Sequence, residues 1–81
     1  MFRVITPKFD QTYSRWIDAL EAANSLIPEC KSLLEDVRIY FGEEIIWVYS
    51  RSHKYPQYIG PGMYNKLANL FIQETLEEER E

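Results

Sequence analysis

Gly42-Glu43 lies between two runs of β-branched and aromatic residues, Val37 to Phe41 and Glu44 to Tyr49, and no other feature limits the possible folds of this chain as strongly. A glycine followed by a polar residue suits the two-residue type II′ turn, whose twist matches that of paired strands, so residues 37–49 read as an antiparallel hairpin. With Gly42 and Glu43 as its loop, Phe41 pairs with Glu44, Tyr40 with Ile45, Ile39 with Ile46, Arg38 with Trp47 and Val37 with Val48. A period of two then sorts the side chains onto two faces. Val37, Ile39, Phe41, Ile46 and Val48 form a floor on which helices can pack. Arg38, Tyr40, Ile45, Trp47 and Tyr49 form the opposite face, apolar in bulk but tipped with hydroxyl, indole and guanidinium groups.

A two-stranded hairpin is marginal by itself, so the rest of the chain must cover it. Phe2 to Thr6 reads as a strand ended by Pro7, and Arg3 between Phe2 and Val4 suits a partly wet edge position. Tyr13, Trp16, Ile17, Leu20, Ala23 and Ile27 recur at helical spacing, with Asp10 or Thr12 available as N-cap. Pro28 breaks that helix, and Cys30, Leu33, Leu34 and Val37 suggest a second short helix with Pro28 in its first turn. Residues 51–60 read as a loop in which Gln57 to Ile59 can add a short edge pairing. Pro61 then opens a C-terminal helix carrying Met63, Tyr64, Leu67, Leu70, Phe71 and Leu76. Glu74, Glu77, Glu78, Glu79 and Glu81 crowd the negative end of its dipole, which predicts fraying over residues 77–81. The expected fold class is α+β, a small mainly antiparallel sheet made of the central hairpin 37–49 plus an N-terminal edge strand, packed against two or three helices.

With 81 residues the chain holds one domain, and 46% hydrophobic with 15% aromatic residues is far from the composition of disordered chains. A lone Cys30 cannot form an internal disulfide, and the opening MFRVITPKFD lacks a signal peptide's apolar run, so a reducing, cytoplasmic setting is expected. The longest apolar run, Ile45 to Tyr49, is far below the roughly 20 residues of a membrane helix.

Several chemistries find little support. One His and one Cys are too few for a zinc site. Ser50, Ser52 and His53 are neighbours in sequence, but spacing supplies neither an orienting third group nor an oxyanion hole. Cys30 occupies an apolar helical position and reads as a small buried hydrophobe. Glu43, Glu44 and the terminal acids fall where carboxylates are solvated, and Gly60-Pro61-Gly62 lacks the glycine spacing and Lys-Ser/Thr of a phosphate loop. No enzyme, cofactor or metal centre is expected.

The net charge of -4 is unevenly spread: residues 45–73 contain no acid but carry Arg51, Lys54 and Lys66. Within that block, Trp47 to Tyr58 interleaves aromatic with basic side chains. Aromatic residues and arginine dominate protein interface energies, while stacked rings and cations also suit single-stranded nucleic acid. A plainer structural reading makes Trp47 and Tyr49 core and the loop a lid over the hairpin. An overall acidic chain repels phosphate backbones, which places nucleic acid second. The sequence therefore suggests a non-enzymatic adaptor or regulatory protein whose partner-binding residues are Arg38, Tyr40, Trp47, Tyr49, Arg51, His53, Lys54, Tyr55 and Tyr58, with single-stranded nucleic-acid binding as the alternative. A homodimer could bury part of the same aromatic face.

Overall fold

The computed structural model describes residues 1–31 and 35–79. Among these residues five antiparallel strands form one sheet: β1 (Phe2–Thr6), β2 (Phe9–Tyr13), β3 (Asp36–Phe41), β4 (Glu44–Ser50) and β5 (Gln57–Tyr58), in the order β2-β1-β3-β4-β5. Helix α1 (Trp16–Leu26) follows β2, and α2 (Met63–Glu79) follows β5. The α+β expectation is met, with two α-helices among the described residues.

The hairpin turns where its chemistry dictates. Gly42 has φ +63° and no described non-glycine residue has positive φ, the sign pattern of a type II′ turn. Phe41 pairs with Glu44 and Tyr40 with Ile45 as expected. Beyond them a β-bulge between Ile39 and Tyr40 shifts the ladder, so that Ile39 faces Trp47, Arg38 faces Val48 and Val37 faces Tyr49. The bulge sets Ile46 and Trp47 both into the core, at 2% and 1% exposure. The Ile46 carbonyl also accepts the Ile59 N–H at 2.9 Å, beside the Trp47–Tyr58 and Val48–Gln57 pairs that make β5 the short edge strand.

The N-terminal half departs further from its sequence reading. Phe9–Tyr13 is a strand, not the approach to a helix, so β1 lies between β2 and β3 and is not an edge. Pro7 and Lys8 make a two-residue turn, and the Lys8 N–H donates to Thr6 Oγ1 at 3.1 Å. Tyr13 fits both the helical spacing toward Trp16 and the alternation of Phe9, Gln11 and Tyr13, and pairing with β1 decides between them. Helix α1 therefore starts at Trp16, and neither Asp10 nor Thr12 caps it. Among the described residues between Leu26 and β3, one 3-10 turn, Ile27–Glu29, stands where the expected second helix would begin, with Pro28 in its first positions. Leu33 and Leu34 of that expected helix lie outside the described residues.

Both helices cover one side of the sheet. A row of cross-strand neighbours runs Gln11, Val4, Ile39, Trp47, Tyr58, and its three central members are buried. Burying each such side chain contributes about 1.5–3 kcal/mol. Trp16, Ala19 and Ala23 of α1 and Met63 and Leu67 of α2 join the same cluster. The Phe2 ring sits 5.6 Å from Trp16 and 5.1 Å from Phe41, between helix and sheet rim.

Helix α2 buries less than its periodicity suggested: Tyr64, Phe71 and Leu76 are exposed. One of its acids behaves in the opposite way. Glu74, expected to be solvated, is 7% exposed and turned into the fold. The helix continues to Glu79, and Arg15 pairs with Glu78 as well as with Asp18.

Candidate functional site

The side of the sheet away from the helices carries two cross-strand rows. One runs Asp10, Ile5, Arg38, Val48, Gln57, and the other Thr12, Arg3, Tyr40, Ile45. Ile5, Tyr40, Ile45 and Val48 are half-buried by their own neighbours and belong to no part of the core cluster. The face thus interleaves apolar side chains with two arginines, Arg3 on β1 and Arg38 on the central strand β3, and no described helix lies over it.

Each arginine is held by a carboxylate. Arg3 donates from Nε and Nη2 to both oxygens of Asp10, at 2.9 and 2.6 Å. This bidentate contact pulls the Asp10 carboxyl below its ordinary pKa. Arg38 donates to Asp36 Oδ2 at 3.2 and 3.1 Å, and its pKa is raised by the Tyr40 hydroxyl first and by Asp36 second. The pairs fix the guanidinium planes without burying them, so both keep N–H groups directed to solvent.

Arg38 and Tyr40 therefore stand on the open face, as the alternation of β3 requires. Trp47 does not: the bulge moves it inward, and at 1% exposure it is a core residue that no partner can touch. Tyr49 faces Val37 on the helix side and is half-buried against the core. Tyr58 lies there too, edge-on to Tyr64 at 5.0 Å, with burial pushing its phenol pKa up against the opposing pull of Trp47. Val48 takes the place on the open face that the unbulged register gives to Trp47. No sequence signal marked Ile5 or Val48 as members of this face, because that membership depends on β1 pairing and on the bulge.

The loop after β4 leaves from the end of the sheet where Ser50 pairs with Asp36, beside Arg38. Arg51, His53, Lys54 and Tyr55 are all exposed. Arg51 Nη1 donates back to the Lys31 carbonyl, and Lys54 Nζ lies 5.6 Å from the centre of the Tyr55 ring. Ser50 Oγ is 2.8 Å from Ser52 Oγ and 3.0 Å from His53 Nδ1. With the His53 N–H donating to the Ser50 carbonyl at 3.0 Å, these contacts close a local turn.

A cleft of about 460 Å³ lies at this same end of the sheet, lined among others by Lys8, Glu29, Cys30, Lys31 and Asp36. Burial and the nearby acids Glu35, Asp36 and Glu29 push the Cys30 thiol pKa up, which leaves it protonated and unreactive at neutral pH. Its Sγ contacts the Leu26 carbonyl at 3.7 Å, and the residue belongs to the core. Among the described residues no group of three His, Cys, Asp or Glu could hold a metal ion. No described helix is long and apolar enough to cross a membrane.

No known protein family, curated protein or solved structure matches this chain.

Proposed function

We propose that this chain is a non-enzymatic interaction or regulatory protein that docks the open face of its sheet onto another protein. The observation that carries the reading is the one-sided coverage of the sheet. The two described helices and the core cluster occupy one side, and Ile5, Tyr40, Ile45 and Val48 remain half-exposed on the other, interleaved with Arg3 and Arg38. Apolar and tyrosine side chains interleaved with oriented arginines match the composition of protein interfaces, in which aromatic residues and arginine supply most of the binding energy. The contact set becomes Arg38 and Tyr40 with Ile5, Ile45 and Val48, extended at one end by Arg51, His53, Lys54 and Tyr55.

Charge favours a protein over nucleic acid as the partner. The two arginines on the face each spend their charge on a carboxylate of the same chain, and the protein as a whole is acidic. A phosphate backbone would meet neutralised pairs in place of a connected basic stripe. The test is a pull-down from native lysate with and without nuclease at two salt concentrations. A discrete protein that survives nuclease supports the reading; nucleic acid recovered alone, and lost at high salt, replaces it with the strand-binding alternative.

A further inference from the structure

The two edges of the sheet are built differently. β5 is two residues long and follows directly on Pro56, so it offers almost nothing to an incoming strand. β2 is five residues long, pairs with β1 in unbroken register, and contains no proline, glycine or lysine. Its one charge, Asp10, is engaged by Arg3 on the same sheet. Thr6 faces Phe9 across the two-residue Pro7-Lys8 turn, so the peptide groups of Phe9, Gln11 and Tyr13 point toward β1. By alternation those of Asp10 and Thr12 point away from the sheet, where no described strand receives them.

The strand Phe-Asp-Gln-Thr-Tyr also complements itself. Laid antiparallel on a second copy with Gln11 on the two-fold axis, Phe9 meets Tyr13, Asp10 meets Thr12, and aromatic pairs flank both ends. Asp10 never opposes Asp10. The outward groups fall into register in the same alignment, because Asp10 and Thr12 of one copy then exchange both N–H···O=C bonds with Thr12 and Asp10 of the other. We infer that β2 pairs with β2 of a second copy of this chain, joining two five-stranded sheets into one continuous sheet about a two-fold axis at Gln11. This interface lies at the sheet edge and leaves the open face available.

Sedimentation of the intact chain over a concentration series, combined with amide exchange, tests the pairing. The chain should form a dimer, and the Asp10 and Thr12 amides should gain protection as concentration rises. Thr12→Pro removes an outward donor that the monomer does not use, and Gln11→Lys sets two like charges against each other at the axis. Each should weaken the dimer about tenfold or more while leaving the circular dichroism unchanged. Should Thr12→Pro disturb the monomer, the charge pair still decides: mixing Gln11→Lys with Gln11→Glu chains should restore dimer that neither forms alone. A wild-type chain that stays monomeric up to about 1 mM overturns the inference, as does a dimer indifferent to both Gln11→Lys and Thr12→Pro, or a charge-swapped mixture that recovers no dimer.

Discussion

The Glu74 carboxylate of α2 caps α1 across the fold: the Trp16 N–H donates to Oε2 at 2.9 Å and the Ile17 N–H to Oε1 at 2.8 Å. These are the first two amides of α1, which no intrahelical carbonyl can reach, and Arg15 at the cap position offers no side-chain acceptor. A negative charge at the positive end of the α1 dipole adds to the two hydrogen bonds. The contact joins residues 58 positions apart and ties α2 to the start of α1.

Removing this cap should be costly. Glu74→Ala strands two amides, one of them buried, and should lower stability by about 3 kcal/mol, read as a fall in melting temperature of roughly 10–20 °C. Glu74→Gln keeps one acceptor and should lose about half as much. Chemical denaturation of the three proteins checks the order.

Trp47 and Tyr40 should respond in opposite ways. Trp47→Ala empties a core site and should cost about 3–5 kcal/mol, whereas Tyr40→Ser and Arg38→Glu on the open face should each stay near 1 kcal/mol or below. Equal losses in denaturant titrations would mean that the bulge does not place Trp47 inward.

Gly42 sits at φ +63° with open space around the position of a Cβ, so a side chain there meets strain without collision. Gly42→Ala should destabilise by about 1 kcal/mol, and Gly42→Val by more, since a branched residue resists positive φ most. Thermal melts of both variants give the comparison.

The Arg3–Asp10 pair has a defined pH signature. Because the folded carboxyl titrates below its unfolded value of about 3.9, the pair's contribution is complete above that pH and disappears as pH falls through the folded value. The Asp10 side-chain carbon resonance should titrate at lower pH in the wild type than in Arg3→Met, and coincident curves would remove the bidentate pair from the account.

The last turn of α2 carries Glu77, Glu78 and Glu79 at the negative end of its dipole, with only Glu78 paired to a cation, Arg15, among the described residues. Amides of residues 77–79 should exchange faster than those around Leu67 and Leu70. Uniform protection to Glu79 would show that the Arg15 contact outweighs the repulsion.

The hairpin was legible because Gly42 announces its turn, and the cores of both helices were legible because Trp16, Ala23 and Leu67 recur at helical spacing. β2 was not, since Pro7-Lys8 lacks the residues that usually mark a hairpin and Tyr13 satisfies two periodicities at once. The bulge at Ile46 has no sequence mark: Ile45-Ile46-Trp47-Val48 is apolar throughout, and only packing against Ile39 and Val37 selects which residues turn inward. That one-residue slip exchanges Trp47 for Val48 on the open face. Tyr49 and Tyr58 followed Trp47 to the helix side, while Arg38, Tyr40 and the exposed loop stayed as read. In sequence Glu74 is one acid of a terminal run, and its role depends on α1 starting at Trp16, which the helical spacing from Tyr13 onward does not mark.

Capture by wild-type chain and by an Arg38→Glu, Tyr40→Ser double variant, compared in the same nuclease-treated lysate, tests the docking face most directly. The account predicts that the variant folds with a nearly unchanged melting temperature and loses the protein partner that the wild type retains. A folded variant that retains the partner as well as wild type does would contradict it.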